Sequence, residues 1–389
     1  MDIVSSFNRL KDYCEREDFR GWDPYDGLNS TLFRRLPYIS GKRWPRLAWI
    51  QLMKRSPFNF RPVVGVKKEH NPKGLGLFLA GYCNLYKREP AAPYLDKIVY
   101  LADKLISLRA EGYSGSCWGY NFDWQARAFF QPRNTPTVVA TTYIANALMD
   151  AYEITKEQRY LTVALSSANF VLYDLNRTDG AFSYSPQDHT QVFNASLLGT
   201  RLLSRIYHYT RDASLLKPAR LSAAFCCSRQ QENGAWSYGT LPFHQWIDNF
   251  HTGYNLECLT AYQYYTHDHS FQKSIENGTA YYLRTFFTED GKPKYYSNNL
   301  YPVDVHNTAQ LIITLSRLHL FGEHRALIDK VLGWTIRNMQ DDEGYFYYQL
   351  RRGLRSRTPY MRWAQAWMFN AMSLYLLEIK NQNDQNSYL

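Results

Sequence analysis

Apolar residues recur at three- and four-residue spacing along most of this chain, and the stretches that carry the pattern fall into two alternating sets. The spacing predicts helices over 92–110, 156–172, 213–229, 270–286 and 324–339 in one set. The other set runs over 71–87, 136–154, 189–209, 251–265, 305–320 and 359–379. An amphipathic helix is predicted at 2–16, where Ile3, Phe7, Leu10 and Cys14 share a face, and a short helix near 45–55. The first set follows short links such as RDA or HDHS, whereas the second follows long aromatic and polar stretches. In 69–87, Gly74, Gly76 and Gly81 stand inside a helical pattern, which predicts close approach of a neighbouring element.

The long stretches repeat one unit. NGAWSYGTLPFHQWIDNFHTGYNLECLTAY (233–262) joins an Asn-Gly turn, a Trp-x-Tyr alternation suited to a small β-hairpin, a polar loop and a helix beginning at His251. Looser copies begin at Ser114, Asp179, Asp290 and Asp342. The helices that follow carry Asn146, Asn194, Asn255, Asn307 and Asn370, with Asn71 in an earlier copy, at uneven intervals of 48 to 75 residues. Such intervals exclude a short fixed-length solenoid and fit helical hairpins with loops of variable length.

Antiparallel helix pairs joined by short links pack as neighbours, and a chain of pairs buries most by closing on itself. The expectation is an all-α, single-domain (α/α)6 toroid over 1–389, with short β-hairpins at one end of the ring. Six inner helices come from the second set, and helix 2–16 closes the ring against 359–379. Residues 19–68 form a turn-rich basic segment outside it. The long loops then gather at the amino ends of the inner helices, where helix dipoles favour anionic groups.

The net charge of +10 sharpens that picture, because residues 34–68 hold ten Lys or Arg and no Asp or Glu, leaving the remainder neutral. Trp44, Trp49, Phe58 and Phe60 interleave with these cations. The run suits an acidic glycan or an anionic membrane face; no nucleic-acid motif accompanies it. Six scattered Cys without C-x-x-C spacing give no disulfide framework or metal set, so no cofactor or metal is expected. The charged amino-terminal stretch and the lack of an 18-residue apolar run lead to the expectation of a cytoplasmic protein, peripheral at most at an inner membrane face. No D-x-D-D cluster supports a terpene-cyclase type of toroid.

The pattern resembles the (α/α)6 superfamily of glycoside hydrolases, polysaccharide lyases and sugar epimerases. TYIANALMDAYEITKEQRYLTVALSSANFVL (142–172), QVFNASLLGTRLLSRIYHYT (191–210) and DNFHTGYNLECL (248–259) resemble the C-terminal domain of glucuronyl C5-epimerases. That resemblance implies tyrosines that exchange the C5 proton of a uronate in an acidic polysaccharide or oligosaccharide. Tyr184 in AFSYSP and Tyr238 in GAWSYG are similar to two such positions. Where the family has a third Tyr before His-Thr, this chain has Phe250, so His251 or Tyr301 is the expected substitute.

Abstracting a proton beside a carboxylate needs a base, a cation for the carboxylate and donors for the enolate-like charge. Candidate catalytic residues are Tyr238, His251, Tyr184 and His189, with Asp248 and Asp123 for the alternative of hydrolysis by a carboxylate pair. Candidate substrate contacts are Trp118, Tyr120, Trp236, Trp246, Tyr301 and Trp363 for stacking, and Asn255 and His306 for hydroxyls. Arg127, Arg355 and Arg362 are candidate carboxylate clamps, since Arg offers a planar fork. The competing readings are helix capping for Asp188, Asp248 and Asp304 and plain core packing for any one aromatic. A non-catalytic glycan-binding or scaffold ring is the remaining alternative.

Overall fold

The computed structural model describes residues 2–126 and 130–386. Six inner helices span Pro72–Arg88, Val138–Thr155, Phe193–Thr210, Asn249–Thr266, Val305–Arg317 and Ala366–Asn386. Each packs on the next, and the last packs on the first, so the circle is closed. Outer helices Ala92–Ser107, Gln158–Asn169, Leu216–Cys227, Gln272–Phe286 and Arg325–Met339 each lie against an inner partner. This is the (α/α)6 toroid, with observed helix ends within four residues of those the periodicity gives except in the last inner helix, where a π-helical turn, Met361–Gln365, precedes the α-helix and both ends lie seven residues beyond the expected 359–379.

The sixth outer place belongs to helix Ile3–Arg16, whose buried Phe7, Leu10, Tyr13 and Cys14 form its inward face. Phe7 meets Phe369 of the last inner helix with ring centroids 5.2 Å apart. A repeated contact explains how the ring registers. In the turns before the inner helices, Gly180, Gly234, Gly291 and Gly344 have φ between +86° and +99°. A Cβ on them would lie 2.2–3.0 Å from a backbone carbonyl oxygen: Leu221, Asn277, Lys330 and Arg9 respectively. Three of those carbonyls sit on outer helices and the fourth on Ile3–Arg16, so one joint is used four times.

Polar residues start four of the inner helices. Asn71, Thr137, Asp248 and Asp304 accept from the backbone N–H of Gly74, Ala140, His251 and His306, satisfying donors that a helix start leaves open. The inner-to-outer links are short because single residues, Lys156, Arg211 and His267, take the left-handed conformation at φ near 60° and end the helix at once. The glycines in the first inner helix do admit neighbours: a Cβ on Gly81 would lie 2.5 Å from the Phe369 ring.

Two β-hairpins, Trp124–Gln125 with Phe130–Gln131 and Arg177–Thr178 with Ala181–Phe182, lie in the long loops. A three-stranded antiparallel sheet joins Val303–Asp304, Gln349–Arg351 and Leu354–Ser356. The hairpin expected at Asn233-Gly234 does not form ladder pairs. Gly234 makes the turn, but Trp236 turns into the core and its indole donates to the Cys226 carbonyl at 3.0 Å. Residues 19–68 fold as short turns of helix and a longer helix, Arg43–Arg55. Two buried ion pairs tie this segment to the ring and to itself: Arg362 with Asp23 at 2.6 Å and Arg61 with Asp26 at 2.7 Å.

Candidate functional site

The amino ends of the inner helices and the loops before them enclose a cavity of about 440 Å³. Its wall draws on all six inner strings: Lys73, Val139, Asn194, His251 with Tyr254, His306, and Arg362 with Trp363. Loops add Tyr120, Trp124, Tyr184, Asp188, Tyr238, Trp246 and Tyr295. The basic segment adds Tyr25 and Lys54. A space of this size, walled by rings with a few convergent polar groups, suits one or two sugar units.

His251 is the best-placed base in the wall. Its Nδ1 lies 2.8 Å from Asp248 Oδ2 and 3.0 Å from Oδ1. In the tautomer whose Nδ1–H donates to Asp248, the lone pair of the imidazole lies on Nε2. Asp248 also caps the helix through the His251 N–H, so capping and ring orientation come from one carboxylate. Tyr238 lies beside this ring at 4.8 Å between centroids and stacks on Trp246 at 4.3 Å. Burial and the Asp248 carboxylate push the Tyr238 phenol well above its usual range, which keeps it protonated and fits a donor rather than a base.

A second polar group lies deeper. His306 Nε2 is 2.7 Å from the Tyr254 hydroxyl, and its ring stacks on Phe250 at 4.6 Å and on Trp367 at 4.2 Å. Burial, then Lys73, His251 and Arg362, hold the imidazole well below its usual pKa, so it stays neutral. Tyr184 and Tyr120 share a hydroxyl contact of 3.0 Å, and burial raises both. Asn194 presents a buried Oδ1 without a partner among the described residues.

The cations differ from the sequence expectation. Arg362 reaches the wall, but its Nε and Nη2 donate to Asp23 at 2.6 and 2.8 Å, so that edge of the guanidinium is already taken. Lys73 has no hydrogen-bond or ion-pair partner among the described residues and sits over the rings of Tyr143, Trp367 and Tyr254 at 4.5, 5.1 and 5.8 Å. Burial and Arg362 push its ammonium well below the usual range. Lys54 bonds the Tyr25 hydroxyl at 2.7 Å and has no carboxylate within ion-pair reach among the described residues. Reading the sequence missed both lysines. Lys73 was visible as the lone charge in the otherwise apolar run 72–79, and nothing local marked Lys54.

Among the other residues singled out from sequence, Tyr184, Tyr120, Tyr238, Trp246, His251, His306, Arg362 and Trp363 come together in the wall, and Asp248 stands behind His251. The rest lie elsewhere. Trp118 is core, its indole donating to Leu105 O at 2.7 Å, and Trp236 is core beside Gly278. Asn255 is buried within its helix, because an inner helix is covered on every face. His189 is exposed in the loop, Tyr301 is 42% exposed, and Arg355 lies on the outer strand of the small sheet. Asp123 is held at the rim by the Arg133 N–H at 2.8 Å and by Arg34 at 3.3 Å. Arg127 lies outside the described residues.

Carboxylates in and behind the wall are also engaged. Asp188 accepts from Tyr184 N, Thr190 N and Thr190 Oγ1, and Asp304 accepts from Gln349, Trp363 and His306 N. Burial nonetheless raises Asp304 to about 6. Among the described residues no group of three or more His, Cys, Asp or Glu could hold a metal ion.

The sequence matches no protein-family model and no curated protein sequence. Solved structures do match. A cellobiose 2-epimerase from Bacillus thermoamylovorans B4167 superposes with TM-score 0.65 at 12% identity, covering 80% of this chain and 88% of that one. An unsaturated glucuronyl hydrolase specific for heparin gives 0.64 at 12% identity over 97% and 96%. A polysaccharide lyase gives 0.58 at 12% identity over 80% and 90%. Identity this low speaks to architecture alone: the chain is an (α/α)6 toroid, the fold on which those three structures are also built.

Proposed function

We propose that this protein is a carbohydrate-active enzyme that removes the proton at C5 of a uronate residue in an acidic saccharide, giving epimerisation or elimination. The observation that carries the reading is one cavity holding an imidazole oriented by a carboxylate together with two lysines that make no ion pair with the described residues. His251 Nε2 takes the proton from C5. The electron pair moves into the adjacent carboxylate, where Lys73 and Lys54 meet the growing negative charge. Tyr238 or the His306–Tyr254 pair returns a proton in epimerisation. In elimination the oxygen at C4 leaves instead and a C4–C5 double bond forms.

Lys73 suits this task because burial has weakened its hold on a proton. A carboxylate entering the cage restores the ammonium, so binding takes up a proton from solvent. Hydrolysis by a carboxylate pair is the weaker reading, since Asp188 is the one carboxylate in the wall among the described residues and its oxygens already accept three hydrogen bonds. The likeness to an unsaturated glucuronyl hydrolase adds support for a uronate, and the likenesses to a polysaccharide lyase and a cellobiose 2-epimerase add support for elimination or epimerisation on a saccharide.

Incubation with uronate-containing oligosaccharides in deuterated water tests the reading. Deuterium at C5 is the result for an epimerase, and the absorbance of a conjugated uronate is the result for a lyase. New reducing ends with neither signal would replace this reading with hydrolysis. Binding without any turnover would leave a glycan-binding ring.

A further inference from the structure

Nine of the seventeen large apolar side chains exposed among the described residues lie between Leu32 and Val63. Tyr38 is 87% exposed, Val63 84%, Trp44 73% and Phe58 70%. They stand in the stretch with ten basic and no acidic residues. Arg35, Lys42, Arg55 and Lys67 are exposed there and make no ion pair with the described residues.

This is not a loosely held segment. Its inner side is fully used: Phe33 stacks on Trp49 at 5.1 Å, Ile50 packs with Phe33 and Leu28, and Arg61 is fully buried against Asp26 and the Tyr360 hydroxyl. Helix Arg43–Arg55 divides accordingly. Ile50 and Met53 face inward, Lys54 reaches the cavity, and Trp44 and Leu52 face out. An anchored segment that leaves apolar and basic side chains side by side on its outer surface is a fixed docking face.

We propose that residues 32–63 seat this protein on the headgroup region of an anionic lipid bilayer. A polyanionic glycan or a nucleic acid uses the cations but gains little from Leu36, Ile39 and Val63. A bilayer boundary takes both, with apolar side chains entering the acyl edge and Lys or Arg meeting anionic headgroups. Two kinds of contact are what reversible surface binding requires, and no helix among the described residues is long and apolar enough to cross a membrane. Because the same helix gives Lys54 to the cavity, a docked molecule holds its cavity next to the lipid, which suits an acidic saccharide carried on a lipid. The docking does not depend on the reaction proposed above.

Cosedimentation of the full chain with phosphatidylcholine vesicles, with and without phosphatidylglycerol, tests it separately from any turnover assay. Anionic vesicles should bind at least about tenfold more protein than neutral ones, with the difference shrinking as salt rises. The exposed triple variant Tyr38→Ser/Trp44→Ser/Phe58→Ser should lose at least about tenfold of that binding at an unchanged melting temperature. Charge reversal at Arg35, Lys42 and Arg55 gives an independent second variant set with the same expectation. Absence of binding to anionic vesicles, wild-type binding by both variant sets, or polyuronate or RNA displacing the vesicles completely would overturn the proposal.

Discussion

The ring has two mouths made by the same six helices, and they treat charge in opposite ways. At the carboxyl ends of the inner helices lies the larger hollow, about 760 Å³, and its buried cations are matched. Arg205 is held by Asp150 at 2.6 Å and Glu153 at 2.9 Å, and Arg201 is paired with Glu257. Burial alone would raise Asp150, but Arg205, Lys87 and Arg317 outweigh it and hold the carboxyl at about 2. At the amino ends the hollow is smaller, yet Lys73 and Lys54 have no carboxylate partner among the described residues. Volume therefore does not mark the site. What separates the two mouths is unpaired cations, for which an acidic ligand would supply the partner the protein does not.

That contrast can be broken most forcefully at His251. His251→Ala should lower turnover by about 10²–10⁴-fold at an unchanged unfolding midpoint, the usual contribution of a positioned base; full activity in the variant would remove the front mouth from consideration. The rear mouth should respond the other way. Glu257→Ala leaves Arg201 buried without its partner and should cost about 3–5 kcal/mol of stability in chemical denaturation, with kcat of the folded fraction unaltered.

Lys73→Met should raise KM for acidic saccharides about 10–100-fold, remove the proton uptake seen by calorimetry in buffers of different ionisation enthalpy, and leave stability equal or higher. A stability loss without a KM change would make Lys73 a structural residue. The smallest effect concerns pH. His306 is held below its ordinary value near 6.5, so the unfolded chain binds a proton that the folded chain refuses, and stability should fall as pH drops below about 6.5. Asp150 is shifted the same way from 3.8, so the rear mouth should begin to lose stability only as pH falls from about 4 towards about 2. Urea midpoints measured from pH 8 to pH 3 for the wild type, His306→Asn and Asp150→Asn separate the two; superimposable curves would contradict both assignments.

Eight of the aromatic, His and Arg residues chosen from the loops do meet in one wall, because repeated hairpins of the same kind must all emerge at one end of a closed ring. The choices that failed did so for lack of a direction. Trp118 and Trp236 stand two residues before Tyr120 and Tyr238, a spacing that strand alternation would put on one face; these stretches form no ladder, and each indole instead bonds an outer-helix carbonyl, Leu105 or Cys226, while the tyrosines line the cavity. Arg362 does reach the wall, but its pairing was not legible in the sequence. Its partner Asp23 is 339 residues away, and no spacing rule connects them.

The number and order of the ring helices, and the ends of all but the last inner one, together with the clustering of polar loops at one mouth, followed from the sequence, because periodicity and turn chemistry are set by neighbours within a few positions. Closure of the ring was implied by the pairing of helices, and its register came from glycines already visible as turns. Which charges stayed unpaired was decided only by the tertiary structure. The cage around Lys73 assembles Tyr143, Tyr254 and Trp367 from three other inner helices, and the pairing that fills Arg362 depends on how the amino-terminal segment folds back. Desolvation and charge pairing act through space among residues far apart in the chain, so they exist only after the circle has closed.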